Sequence, residues 1–214
     1  MSRAATALVL ASASPRRREL LSRLGLDVEV AAQDVDESPV AGEAPGAHAI
    51  RVAWLKARAA IARYPERPVL AADTVVVLGQ RILGKPRDRA DAAAMLGDLA
   101  GKTHTVLTAL VLVWDGGEAA HLEQARVTMA PFRRELWSWY AGTGEGDDKA
   151  GAYAVQGKGA LLVERVEGNV QAVVGLPLAA LSGLFGRAGL ALVASGAGLA
   201  LRPRGGSPRR GPIG

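Results

Sequence analysis

The stretch Ala5-Thr6-Ala7-Leu8-Val9-Leu10-Ala11-Ser12-Ala13-Ser14-Pro15-Arg16-Arg17-Arg18-Glu19-Leu20-Leu21-Ser22-Arg23-Leu24-Gly25 decides how this chain begins to fold. Residues 5–11 form a short apolar run that reads as a buried strand. Serine before proline then marks a helix start, Leu20, Leu21 and Leu24 form one apolar stripe, and Gly25 supplies the stop. The chain therefore opens with a strand, a tight loop and a helix.

The same reading extends outward. A second strand is expected over 27–32, followed by the acidic loop Asp34-Val35-Asp36-Glu37-Ser38-Pro39. Residues 48–63 place Ile50, Ala53, Ala57, Ala60 and Ile61 at helical spacing, with Lys56 on that helix. Residues 69–78 are β-rich and turn through Gly79-Gln80 into Arg81-Ile82-Leu83-Gly84-Lys85-Pro86. Asp88 is a helix cap and Gly101 the matching stop. Residues 103–114, Asp115-Gly116-Gly117 and 122–129 read as a long hairpin. A short helix is expected over 133–141, strands over 161–166 and 170–174, and a helix from Pro177 to about Arg187. Strands and helices mix without a strict alternation, which predicts an α/β fold on a mixed sheet.

The 214 residues are 49% apolar, enough for a substantial core. There is no cysteine, so disulfides and Cys-based zinc sites are excluded and a reducing compartment, the cytoplasm, is expected. The N-terminal apolar run leads into a Pro-Arg-Arg-Arg helix start and not a cleavage region, so no export signal is expected. Arg187, Arg202, Arg204, Arg209 and Arg210, with no acid after them, account for the whole net charge of +5. The basicity thus belongs to a tail, and neither specific nucleic-acid binding nor a membrane partner is expected. Residues 1–188 form the expected domain. Residues 189–201 are an apolar extension too short to span a membrane, read as a final helix or strand on the body or as an appendage without function. Residues 202–214 are rich in Pro and Gly and read as disordered.

Three groups of residues could carry chemistry. The loop of Ser12 and Ser14 ahead of Arg16 and Arg17 offers free backbone N–H groups, a helix dipole and guanidinium forks to a phosphate. Capping serines and solvated arginines would explain the same residues. Asp73 lies inside Ala71-Ala72-Asp73-Thr74-Val75-Val76-Val77, an acid in a run that should be buried. Such a carboxylate is costly unless a metal, a cation or hydrogen-bond donors meet it. Asp34, Asp36 and Glu37 could join Asp73 around a divalent ion through oxygen ligands, or could simply be a solvated turn. Lys56, Lys85 and Lys149 would suit phosphate oxygens, although each taken singly reads first as a surface lysine. His48, His104 and His121 are too scattered for a zinc site. Trp137, Trp139 and Tyr140, at helical offsets, read as core or interface.

Taken in order, Leu10-Ala-Ser-Ala-Ser-Pro-Arg-Arg-Arg-Glu-Leu-Leu21, Asp34-Val-Asp-Glu-Ser38, Ala72-Asp-Thr-Val-Val76, Ile82-Leu-Gly-Lys-Pro86, Leu99-Ala-Gly-Lys-Thr-His104, Asp148-Lys-Ala-Gly-Ala-Tyr153 with Gln156-Gly157, and Val174-Gly-Leu-Pro-Leu178 resemble the signature blocks of the Maf family of nucleotide pyrophosphatases. The resemblance covers about residues 6–187. It implies two lobes of a mixed, twisted sheet flanked by helices around a central cleft, akin to inosine triphosphate pyrophosphatases, and often a homodimer. It implies hydrolysis of a nucleoside triphosphate to the monophosphate and pyrophosphate with a divalent metal, Mg²⁺ or Mn²⁺, and a further role in removing non-standard nucleotides. By position, Asp73 would accept the proton. Glu37 and Asp73 would hold the metal, and Ser12, Ser14, Arg16, Arg17, Lys56, Lys85, Asp148 and Lys149 would line the substrate site. Arg17, Thr74 and Gln156 match the specificity positions of a branch that prefers dTTP and UTP. A sister branch acting on 7-methyl-GTP tends to carry Trp and Gln where Arg16 and Thr74 stand here. The segment Gly168-Asn169-Val170-Gln171-Ala172 lacks aromatic residues common in the family, and nothing past about residue 188 has a counterpart. The competing function is a nucleotide-binding regulator of cell division that does not hydrolyse its ligand.

Overall fold

The computed structural model describes residues 6–204. Its elements are β1 (Leu8–Ala11), α1 (Pro15–Arg23), β2 (Val28–Val30), α2 (Pro45–Ile61), β3 (Val69–Leu78), β4 (Arg81–Leu83), α3 (Arg89–Leu99), β5 (Thr103–Trp114), β6 (Gly117–Met129), α4 (Arg134–Gly142), β7 (Val163–Gly168), α5 (Val170–Val174), α6 (Leu178–Arg187), β8 (Leu190–Ser195) and β9 (Gly198–Pro203). Seven strands make one mixed sheet in the order β2-β1-β3-β5-β6-β7, with β4 paired to β3. β1 runs parallel to both β2 and β3, and the remaining pairs are antiparallel. The expected α/β architecture is therefore present.

β3 and β5 are almost continuously apolar and buried, the pattern of strands covered on both faces. Alternation along β3 sends Leu70 and Ala72 toward α1 and α6. It sends Val69, Ala71, Val75 and Val77 toward the alanine face of α2. A third cluster, built from Leu83, Leu96, Leu99, Met129, Tyr140 and Leu162, covers the far end of the sheet beneath α3 and α4. The β5–β6 hairpin closes through Asp115-Gly116, with Gly116 at φ +84° and Trp114 facing Gly117. The expected hairpin is present, but its turn has two residues, and β6 takes in Gly117 and residues 118–121, which the sequence reading left out of the strand.

The register opens one gap that matters. β1 ends at Ala11, opposite Ala71, whereas β4 does not join β3 until Val76. Between them, Ala72 to Val75 have no strand on that edge. The crevice beyond the carboxyl end of a strand in an α/β sheet is where such folds bind ligands, and Asp73 and Thr74 lie in it.

Two expectations are corrected and one open alternative is decided. Residues 170–174 form α5, not a strand. Asn169 accepts a hydrogen bond from the Gln171 N–H, and Gly175 at φ +108° ends the helix, so capping overrides the β-branched composition. The extension after residue 188 is a β8–β9 hairpin whose Leu190 and Leu201 join the core. Its backbone bonds the body through Leu199 N–H to Leu24 O and Thr6 N–H to Leu201 O, both 2.7 Å. Arg202 and Pro203, expected in the disordered tail, finish β9. Residues 205–214 of that tail lie outside the described residues. Among the described residues, no helix is long and apolar enough to cross a membrane.

Candidate active site

A cleft of about 460 Å³ opens at the gap in the sheet, lined from one side by the β1–α1 loop, β3 and Lys56, and from the other by Lys85, Asp148, Lys149 and Gln156. At its floor Asp73 is 7% exposed and Lys56, projecting from α2, is also 7% exposed. Lys56 Nζ donates to Asp73 Oδ1 at 2.9 Å and pairs with Glu37 Oε1 at 2.8 Å. One ammonium thus bridges two carboxylates, which answers how a carboxylate survives in that apolar run. Asp73 Oδ2 makes no hydrogen bond among the described residues and is left for a ligand. Burial alone would raise the Glu37 pKa, but the Lys56 ammonium, with Lys85 and Arg17 farther off, holds it below the ordinary carboxylate value.

Of the acidic loop only Glu37 reaches this centre. Asp36 turns back to accept the Ser38 N–H at 2.9 Å, and Asp34 does not line the cleft. Among the described residues no group of three or more His, Asp or Glu side chains is arranged to hold a metal. A hard cation here would take oxygens from Glu37 and Asp73 and the rest of its shell from phosphate and water. That is the donor set Mg²⁺ favours in nucleotide sites, so the residues present fit it.

The loop before α1 lines the cleft and leads into a helix start without a side-chain cap. Ser14 stands at the N-cap position but makes no side-chain cap; its own N–H goes to Ser12 Oγ at 3.2 Å. Pro15 has no N–H, and the first turn, whose Arg16 and Arg17 line the cleft, has no side-chain cap. Arg16, 27% exposed in its side chain, reaches across the mouth to Asp148 Oδ2 at 3.3 Å. Asp148 also receives Lys149 Nζ at 2.5 Å. Burial would raise the Asp148 pKa, but Lys149 and Arg16 hold it down. As an acceptor among cations, Asp148 positions Arg16 and Lys149. Lys85 is exposed at the rim.

Arg17 departs most from the expected phosphate fork. It is 8% exposed and turned inward. Nε donates to Gly175 O at 2.8 Å, one terminal nitrogen to Ser12 Oγ at 2.9 Å and Ala72 O at 2.8 Å, and the other to Thr74 Oγ1 at 3.0 Å. Burial lowers its pKa, against the raising pull of Asp73. The guanidinium substitutes for the missing strand beside Ala72 and ties the loop to β3. The Arg17 donors are taken up by the protein, which leaves Arg16 as the arginine of this helix start that faces the cleft mouth.

Thr74 Oγ1 also meets Thr108 Oγ1 at 2.8 Å, and Thr108 donates to Ala172 O at 2.7 Å. A hydroxyl has one proton, so Thr74 is the donor within that pair. Its remaining lone pair is what it can offer a ligand. Gln156 is exposed on the opposite wall with no hydrogen bond among the described residues. The sequence reading did not single out Thr108 or Gly175, whose parts come only from contacts distant in the chain.

Residues 7–188 match the family model for Maf-like proteins. The chain belongs to the Maf family. Among Maf relatives, a protein named dTTP/UTP pyrophosphatase from Myxococcus xanthus is 52% identical over 187 residues, 87% of this chain and 95% of the relative. Another of that name, from Symbiobacterium thermophilum, is 46% identical over 191 residues, 89% of this chain and 98% of the relative. A solved HAM1 protein from Coxiella burnetii overlaps 59% of this Maf chain and 74% of its own, at 18% identity and a TM-score of 0.44.

Proposed function

We propose that this Maf protein hydrolyses nucleoside triphosphates between the α- and β-phosphates, releasing a monophosphate and pyrophosphate, with dTTP and UTP as its preferred substrates and the cytoplasm as its compartment. One observation carries the reading: the Asp73–Lys56–Glu37 cluster lies in the sheet gap directly beside the uncapped start of α1. A buried carboxylate with one oxygen held and one open, next to a phosphate cradle, is suited to phosphoanhydride hydrolysis. The relatives named dTTP/UTP pyrophosphatase support the substrate assignment.

In the reaction, Asp73 Oδ2 takes a proton from water as the water oxygen forms its bond to the α-phosphorus. The bond from that phosphorus to the α–β bridging oxygen breaks, and pyrophosphate leaves with the electron pair. Lys56 holds Asp73 Oδ1 and so leaves the other oxygen as the base, which must stand within hydrogen-bond reach of the water. Arg16, Lys85, Lys149 and the first amides of α1 stabilise the charge that develops on the leaving group. A divalent ion, Mg²⁺ or Mn²⁺, held by Glu37 and Asp73, would supply charge neutralisation at the phosphates. Gln156 reads the base, since its amide both donates and accepts, as the N3–H and carbonyls of thymine and uracil require.

Pyrophosphate release should be measured from dTTP, UTP, CTP, GTP, ATP and 7-methyl-GTP with Mg²⁺ or Mn²⁺. Release strongest from dTTP and UTP is the expected result. Release from other nucleotides alone would sink the base assignment, and tight binding without release would establish the non-hydrolysing regulator instead.

A further inference from the structure

The wall that carries Gln156 is wrapped around a pair of side chains that touch nothing in the reaction. Glu145, in the turn after α4, accepts the Lys158 N–H through Oε2 at 3.1 Å and the Gly159 N–H through Oε1 at 3.0 Å. Tyr140, fully buried at the end of α4, donates its hydroxyl to Glu145 Oε1 at 3.2 Å and accepts the Ala154 N–H at 3.0 Å. The amides on both sides of Gln156 are thus fastened to one carboxylate and one phenol. The fit leaves no slack: a Cβ on Gly157, at φ +64°, would lie 2.9 Å from Glu145 Oε1, and one on Gly159 would lie 2.2 Å from Ala154 O and 2.7 Å from the Tyr140 hydroxyl.

We infer that Tyr140 and Glu145 form a clamp that positions Gln156 against the nucleotide base, so that base discrimination depends on two residues outside the cleft lining. The inference rests on the reading of Gln156 as the base contact. Three features support it. A loop of exposed residues at the cleft edge would otherwise be free to move, and recognition by a single amide needs that amide held in place by the groups behind it. The carboxylate is kept ionised in this role: burial would raise the Glu145 pKa, but the Gly159 and Lys158 amides hold it below the ordinary value. Lys149 donates to Glu145 O, so the turn that supplies the clamp is also tied to the phosphate side of the cleft. The clamp places base and phosphate contacts on one rigid segment.

The test is a double-mutant cycle on the full chain, reading the ratio of kcat/KM for dTTP to that for CTP. Glu145→Ala is expected to lower this ratio about tenfold, mainly through KM for dTTP, and to speed amide exchange at Lys158 and Gly159. Tyr140→Phe keeps the buried ring, removes only the hydroxyl, and should act in the same direction if Glu145→Ala does not fold. In a Gln156→Ala background neither change should lower the ratio further. A wild-type ratio in both clamp variants, with Gln156→Ala losing discrimination, would overturn the clamp and leave the base reading intact. Full discrimination in Gln156→Ala would overturn the base reading itself and, with it, the clamp's part in specificity.

Discussion

Replacing Arg17 by lysine keeps the charge at the cradle and removes the fork. Four hydrogen bonds leave this guanidinium, to Gly175 O, Ser12 Oγ, Ala72 O and Thr74 Oγ1. A lysine ammonium cannot span acceptors on three separate segments, and most of those bonds are lost. Hydrogen bonds to a charged group contribute roughly 1.5–3 kcal/mol each, and acceptors left buried and unmet add to the loss. A remaining ammonium hydrogen bond, and water reaching the acceptors that the shorter donor group leaves, offset part of it. The net expectation for Arg17→Lys is a loss of about 2–4 kcal/mol, on the order of a 5–15 °C drop in Tm for a chain of this size. Urea unfolding followed by circular dichroism reads the first quantity and calorimetry the second. Were Arg17 a phosphate ligand, the variant would keep its stability and show only a raised KM. Stability within about 0.5 kcal/mol of wild type, the range of an ordinary surface change, would refute the structural role given to the Arg17 guanidinium.

Three further outcomes follow from the same contacts. Arg16→Ala, at the mouth of the cleft, should raise KM for dTTP by about tenfold, the equivalent of roughly 1.4 kcal/mol, with unfolding unchanged; steady-state kinetics beside a urea titration checks both. His104 is 2% exposed, its Nδ1 has no partner among the described residues, and burial lowers its pKa from 6.5 to about 4. The folded state therefore binds this proton less readily than the unfolded state, so stability should fall by about 2–3 kcal/mol as pH drops from about 6.5 to about 4; His104→Phe should flatten that part of a stability–pH curve. Gly175→Ala adds a Cβ 3.2 Å from Thr74 Oγ1 at φ +108° and should cost at least about 1 kcal/mol while lowering dTTP turnover, measured by thermal unfolding and pyrophosphate release.

Much of the site was legible because its residues violate local rules. Asp73 announces itself as an acid in a buried strand, and Ser-Pro before a basic first turn marks the cradle. The inward turn of Arg17 has a sequence signal in its spacing: Arg17 and Leu21 are four residues apart, and both are buried on the same helical face. Helix phase alone separates Arg17 from Arg16 and Arg18. At residues 170–174 the run Val-Gln-Ala-Val-Val favours a strand by composition, and the Asn169 cap and Gly175 stop outweigh it. The β8–β9 hairpin was left undecided, since its glycines permit turns anywhere and only the core contacts of Leu190 and Leu201 select one pairing. The Tyr140–Glu145 clamp had no sequence signal, because the amides it holds lie more than a dozen positions away in the chain.

The central claim is that Asp73 activates the attacking water. The measurement that bears on it most directly is dTTP turnover by Asp73→Asn, on protein shown by circular dichroism to be folded and with nucleotide binding measured separately. Nucleotide binding should be retained and kcat reduced by about 10²–10⁴, the usual contribution of a general base. A folded Asp73→Asn enzyme with kcat within a few-fold of wild type would contradict the claim.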